Sequence, residues 1–275
     1  MLGKVRMALR LVKGTNLLTC ENVENMIKYK YPMKGYRTLM KKKRAILFDL
    51  DGTLLPMNQE EFTNGYFRFL AKKLAPYGYD ARELVSGLWE GVGAMVKNDG
   101  TLPNDKRFWE VFNAHLGRDC TVDEPIFDEF YRTEFHQAQQ FTGPNPLAKA
   151  LVAAAREKAD LVILATNPLF PRVRQQTRLS FIGLKDTDFD WVTDYENSHF
   201  CKPNPEYYLE ILDRFSLDPK DCLMIGNDVE EDMLPTTGLG MDAFLITDCL
   251  ISRAERGITV PHGTVTDALE YLKDL

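Results

Sequence analysis

The chain alternates between short apolar runs and longer stretches whose apolar residues recur every three or four positions. The first apolar run, 45–48, ends in two carboxylates two residues apart, Asp49 and Asp51, followed by Gly52 and Thr53. From 57 to 142 the spacing is helical. Phe62, Tyr66, Phe69 and Leu70 mark one helix; Leu84, Leu88, Val92 and Met95 mark a second. Phe108, Val111, Phe112 and Leu116 mark a third, and Ile126, Phe127, Phe130 and Tyr131 a fourth. Turn residues at 142–146 (TGPNP) break the pattern. A helix over 146–158 then precedes the run LVILAT at 161–166, with further runs at 191–193, 222–226 and 243–247. A helix over 204–214 has Pro205 near its first turn. Such alternation predicts a parallel sheet covered on both faces, an α/β core interrupted after its first strand by an all-helical insert.

Composition narrows the class. At 275 residues with 44% hydrophobic and 27% charged positions, the chain reads as a soluble globular protein. No apolar run approaches the roughly 20 residues needed to span a bilayer. The five cysteines, at 20, 120, 201, 222 and 249, are scattered without metal spacing, which points to a reducing, cytoplasmic setting.

Charge is unevenly distributed. Residues 1–39 carry eight Lys/Arg and two acids; the remainder carries 26 bases and 38 acids. An acidic body argues against nucleic-acid binding, and the leader suits neither a secretory nor an organellar signal. Met40, directly before the first strand, is a plausible native start, with 1–39 an upstream extension.

Candidate chemistry collects where ligands of open α/β sheets bind, outside the carboxyl ends of the strands. Asp49 and Asp51 end the first run, Thr166 and Asn167 the second, and Asp228, with Asp232 one turn on, the run at 222–226. Lys202 precedes the proline-started helix. A strand's period of two turns Asp49 and Asp51 to one side. Two carboxylates ~4 Å apart repel by about 1 kcal/mol in water and about 4 kcal/mol at an effective dielectric near 20. The cluster calls for a cation, and hard oxygen donors without His or Cys select Mg²⁺. A divalent metal, a lysine and hydroxyl or amide donors around a nucleophilic carboxylate describe phosphoryl transfer.

FDLDGT, the Thr166 strand end, KPNPEYY and GNDVEED stand in the order of the four motifs of the haloacid dehalogenase-like (HAD) hydrolases, which the chain resembles over 44–56 and about 143–248. The resemblance implies a Rossmann-like core, 40–56 and 143–275, with the helical insert, 57–142, as a cap domain. It implies Asp49 as nucleophile through an aspartyl-phosphate, and Asp51 as acid and then base. Gly52, Thr166, Asn167 and Lys202 would serve the phosphate. Mg²⁺ would be held by the Asp49 side chain, the Asp51 carbonyl and Asp228, with Asp232 supporting. Here Asn227 stands where the family more often has an acid directly after the glycine, a departure that leaves Asn227, Asp228 and Asp232 as alternatives for the third metal ligand, with Asp228 the expected one. Asp51 favours phosphate esters over halides, because an alkoxide needs a proton to leave.

The expected function is a Mg²⁺-dependent phosphatase of small phosphorylated metabolites, such as sugar phosphates or nucleotides. A sugar phosphomutase using the same residues, or a phospho-accepting receiver domain, are the competing readings. The histidines at 115, 136, 199 and 262 lack metal spacing, and Gly91–Val92–Gly93 is a lone pair of glycines in a helical pattern. Trp89 and Trp109 are expected in the cap core, and Lys97, Asn98 and Arg107 on a solvated face.

Overall fold

The computed structural model describes residues 42–253 and 259–275. The expectations for 1–39 and for Met40 fall outside the described residues. Strand β1 (Lys43–Phe48) is followed by four helices: α1 (Gln59–Leu74), α2 (Ala81–Val96), α3 (Asn104–Leu116) and α4 (Glu124–Arg132). A run of 3₁₀ turns, Glu134–Phe141, closes this segment. Strands and helices then alternate: α5 (Ala148–Lys158), β2 (Ala159–Leu164), α6 (Arg172–Phe181), β3 (Trp191–Val192), α7 (Pro205–Arg214) and β4 (Cys222–Gly226). A wide turn, Val229–Met233, leads to α8 (Leu234–Gly238), β5 (Asp242–Ile246), β6 (His262–Gly263) and α9 (Val265–Asp274).

The six strands form one parallel sheet in the order β3-β2-β1-β4-β5-β6. β1 is central, pairing Phe48 with Leu164 on one side and Ile225 on the other. Its alternate residues serve opposite faces, as a strand's pleat requires. Ile46 and Phe48 pack with Leu151 and Ala155 of α5 and Ala268 and Leu272 of α9. Ala45 and Leu47 pack with Tyr207, Tyr208 and Ile211 of α7. β6, two residues long, is too short to leave a periodic signal.

The chain leaves the sheet at Met57 and returns at Thr142, and these two residues pair in an antiparallel bridge. Gly143 N–H donates to the Pro56 carbonyl at 2.7 Å, closing the neck of the insert. Asn58 and Asp80 cap α1 and α2 by accepting two backbone N–H groups each. The helices enclose an aromatic core built on Phe62, Tyr66, Phe108, Trp109, Phe112, Phe130 and Phe135. Trp109 belongs to it, whereas Trp89 is exposed and meets only the edge of this core, its ring 5.6 Å from that of Phe67. Asn98 is buried and donates to Asn104 Oδ1, while Arg107 pairs with Glu110 and Asp99 on the outside.

The insert is shut against the sheet domain. Asn104, fully buried at the start of α3, donates through its side chain to the Phe200 carbonyl and Cys201 Sγ. Its backbone N–H reaches Ser198, and that of Asp105 reaches the Tyr195 carbonyl, both at 2.9 Å. Tyr195 itself lies in the insert's aromatic cluster. The same loop carries Asp194 and Glu196 beside Arg172, whose N–H donates to Glu196 Oε2 at 3.2 Å. Burial, with the like charge of Asp194 adding to it, pushes the Glu196 carboxyl up to about 8.

This pair makes stability pH-dependent. Between the ordinary value of 4.5 and about 8, the folded chain keeps a proton on Glu196 that the unfolded chain releases. Stability therefore falls as pH rises through that window. Glu196→Gln should flatten the decline, which thermal unfolding from below pH 5 to above pH 8 would measure; an unaltered slope would place the titration elsewhere.

Candidate active site

β1 does not stop at its last apolar residue. Asp49 N–H still donates to the Ile225 carbonyl at 2.9 Å, so the strand hands its first acid directly to the sheet's carboxyl edge. Leu50 is fully buried in the core. Its burial turns the two flanking acids the other way, to a common side. The chain then doubles back: Thr53 N–H and Leu55 N–H both donate to the Leu50 carbonyl, and Gly52 N–H to the Leu55 carbonyl at 2.8 Å. Gly52 is needed here on two counts. Its φ is +90°, and a Cβ would lie 2.2 Å from Asn227 Nδ2. The Gly52 amide, expected to face phosphate, is thus committed to the loop, and the position supplies close approach.

Lys202 and Asp49 meet, although 153 residues separate them. Lys202 Nζ donates to Asp49 Oδ1 at 2.9 Å and to Asp232 Oδ1 at 2.6 Å, with the ammonium almost completely buried. Asp232 Oδ2 accepts the N–H groups of Asn227 and Asp228, both at 3.1 Å. The acid one turn beyond β4 thereby locks both the lysine and the loop after β4. Thr53 Oγ1 spans Asp49 Oδ2 at 3.2 Å and Asn227 Oδ1 at 3.0 Å.

Asp228 has other company. Its Oδ1 accepts the N–H groups of Glu230 and Glu231 and Arg253 Nη1, and its Oδ2 lies 2.7 Å from Arg253 Nη2. It caps the following turn and anchors Arg253. The side chain from this loop that reaches the Asp49–Thr53 pair is Asn227. Asn227 and Asp228 thus turn to different partners, as two adjacent residues leaving a strand do.

Thr166 and Asn167 lie just beyond β2. The Thr166 carbonyl accepts from Thr193 Oγ1 and the Tyr207 hydroxyl, which holds the strand end in place. Asn167 Nδ2 donates to Glu231 Oε2 at 3.1 Å, while its Oδ1 is buried without a partner.

Arg178, Arg253 and Glu231 escaped the sequence reading. Arg178, on α6, is almost entirely buried and donates through Nη1 to Asp51 Oδ2 and through Nη2 to Gln175 Oε1. This leaves Asp51 Oδ1 buried with no partner among the described residues. No local signal marks Arg178, because RVRQQTRL reads as an exposed polar helix; its burial comes from tertiary packing, including its contact with Asp51.

Electrostatics follow from burial. It pushes the Asp49 carboxyl up to about 7, with Lys202 opposing and Asp232 and Asp51 adding to the rise. Burial also raises Asp232, Asp228 and Glu231, the last to about 7, in part through repulsion by Asp228. Burial would lower Lys202, but Asp232 and Asp49 outweigh it and hold the ammonium charged. Among the described residues, no three His, Cys, Asp or Glu side chains are gathered ready to hold a metal ion. The nearest hard donors are one carboxylate, Asp49, and the amide oxygen of Asn227, converging on the Thr53 hydroxyl.

A family model described as haloacid dehalogenase-like hydrolase matches residues 43–235, and a second, HAD-hydrolase-like, matches 199–272. A glyceraldehyde 3-phosphate phosphatase of Methanothermobacter thermautotrophicus is 33% identical over 84% of this chain and 99% of its own. A bifunctional riboflavin kinase/FMN phosphatase of Arabidopsis thaliana is 28% identical over 77% of this chain and 49% of its own. A magnesium-bound putative HAD-hydrolase of Bacillus subtilis, 20% identical, shares the fold with a TM-score of 0.52 over 85% of this chain and all of its own.

Lys202→Met should destabilise the protein by about 3–5 kcal/mol near neutral pH, since it strands two buried carboxylates. Denaturant unfolding would measure the loss, and the gap to the parent protein should narrow as falling pH neutralises Asp49 and Asp232. A pH-independent or negligible loss would mean that the ion pairs do not hold the site together.

Proposed function

The chain belongs to the haloacid dehalogenase-like hydrolases, and from that membership and its site geometry we propose that it is a magnesium-dependent phosphatase of small phosphate monoesters. The observation that carries this reading is the pair of acids around Leu50: Asp49 on Lys202, and Asp51 with one oxygen held by Arg178 and the other without a partner among the described residues. A halide departs without a proton; an alkoxide does not. A second acid beside the nucleophile therefore points to an ester.

In the first step a carboxylate oxygen of Asp49 attacks phosphorus, and the bond from phosphorus to the ester oxygen breaks. Asp51 protonates that oxygen, and an alcohol leaves. Asp51, now a carboxylate, takes a proton from water as the water attacks the aspartyl-phosphate. The acyl phosphate bond breaks, inorganic phosphate leaves, and Asp49 is restored. Lys202 places positive charge beside the transferred group throughout, and Arg178 fixes the direction of Asp51.

The residues present fit Mg²⁺. The Asp49 carboxylate, the Asp51 carbonyl and Asn227 Oδ1 would hold it, all hard oxygens. The raised Asp49 carboxyl fits as well, because a neighbouring cation favours the ionised nucleophile that burial disfavours. When bound, the ion supplies positive charge to the phosphoryl oxygens. Asn227 rather than Asp228 is the side chain of this loop proposed for the role, on its convergence with Asp49 at Thr53.

The closed insert supports a small substrate. Such an insert opens to admit substrate and closes to exclude bulk water. The names of the relatives, a glyceraldehyde 3-phosphate phosphatase and an FMN phosphatase, support a small phosphorylated substrate.

Asp49→Asn should lower phosphate release from a generic aryl phosphate at least about a thousandfold while the protein still folds. Appearance of an isomerised sugar phosphate without free phosphate would replace hydrolysis with a mutase reaction. Asn227→Ala should raise the Mg²⁺ concentration for half-maximal rate about tenfold or more and weaken thermal stabilisation by added Mg²⁺. Asp228→Ala should chiefly lower the melting temperature of the metal-free protein. The reverse pattern would return the metal to Asp228.

A further inference from the structure

Arg174 has no part in the chemistry above, yet it is only 2% exposed and, among the described residues, is bonded to no carboxylate. Its Nε and Nη1 are buried without hydrogen bonds. Its guanidinium carbon lies 3.2 Å from the ring centre of Phe170, 5.0 Å from that of Tyr66 and 5.4 Å from that of Phe135. Ring faces attract the charge of a guanidinium but leave the N–H groups in its plane unserved. Arg178 follows one turn later on α6, on the same helix face. Its Nε is also buried and unbonded. Asp51 is bonded by Arg178 alone, and three nitrogens of the pair, Arg174 Nε and Nη1 and Arg178 Nε, are left without an acceptor among the described residues.

This is a costly arrangement if nothing fills it. Burial first, and Arg178 second, pull the Arg174 pKa down to about 10, so the guanidinium remains charged at neutral pH. A buried cation without a counterion is tolerated where a ligand supplies one. Arg178, one turn along the same helix face as Arg174, bonds Asp51, the acid proposed to meet the leaving group, and so sets the pair beside the candidate site.

We propose that Arg174 and Arg178 form a subsite for a second anion of the substrate, a carboxylate or a second phosphate a few bonds from the transferred phosphoryl group. The inference rests on the phosphatase reading and deepens it. The preferred substrates are phosphate monoesters whose departing alcohol carries its own negative charge, in preference to neutral sugar, polyol or aldehyde phosphates. Arg174 is the specificity-determining residue, and Arg178 couples the subsite to Asp51. The planar fork of a guanidinium matches the edge of either anion, so recognition here needs two arginines and tolerates both sources.

Binding separates this idea from the catalytic one. In the Asp49→Asn protein with Mg²⁺, calorimetry should give 3-phosphoglycerate an affinity about 10- to 100-fold above that of glycerol 3-phosphate. 1,3-Propanediol bisphosphate shows whether a second phosphate serves as well as a carboxylate. Adding Arg174→Met should bring the ratios close to one, and Arg174→Lys should restore part of the preference. In the parent enzyme the same ratio should appear in kcat/KM, carried mainly by KM. Equal affinities for the anionic and neutral ligands overturn the subsite, whether or not any of them is hydrolysed. So does a preference that survives in a folded Arg174→Met protein. Absence of phosphate release from every ester, with the binding preference intact, overturns the phosphatase reading and leaves the subsite standing.

Discussion

The structure turns on one buried ammonium. Lys202 lies between Asp49 and Asp232, and without it the central strand could not end in a buried carboxylate. The three groups come from three loops at the carboxyl edge of one sheet, so their attraction also draws those loops together. Asp232 extends the lock by accepting the amides of Asn227 and Asp228, which sets the path of the chain after β4. Carboxylates still outnumber local cations, counting Asp49, Asp51, Asp228, Glu231 and Asp232 against Lys202, Arg178 and Arg253. That excess explains why burial raises several acids at once and why the site suits a divalent cation.

The helical insert contributes by closing. Its aromatic core is its own, but Asn104 and Tyr195 tie it to the loops that carry Lys202, and Thr177 Oγ1 on α6 donates to the Tyr131 carbonyl. Sealed this way, the sheet's polar edge becomes an interior, where each charge–charge contact counts for more than it would in water. Packing also puts two arginines of α6 out of reach of solvent. One is bonded to Asp51, and the other is surrounded by rings.

Much of the fold is legible in the order of apolar runs, because a parallel strand buried on both faces must be continuously apolar. Asp49 and Asp51 stand out too, since they end an apolar run that otherwise has no use for charge, and Lys202 stands out through the family motif that KPNPEYY resembles. Arg178 and Arg174 do not. Their helix is polar by every local measure, and only tertiary packing makes them interior. Trp89 fails in the opposite sense: its spacing suits the cap core, but it lies on the outer side of α2. β6, His262–Gly263, is lost because, unlike the equally short β3, it contains no apolar side chain to mark it.

The sequence by itself determined the parallel sheet, the place of the helical insert and the strand end that carries the acids, because hydrophobic period and turn chemistry act locally. Only the tertiary structure decided how the charges pair. Asp228 turns to Arg253 and Asn227 to Thr53 because neighbouring side chains leaving a strand diverge, and the groups that receive them come from distant parts of the chain. Which acid meets which base depends on packing across the whole molecule, and no short stretch of residues encodes it.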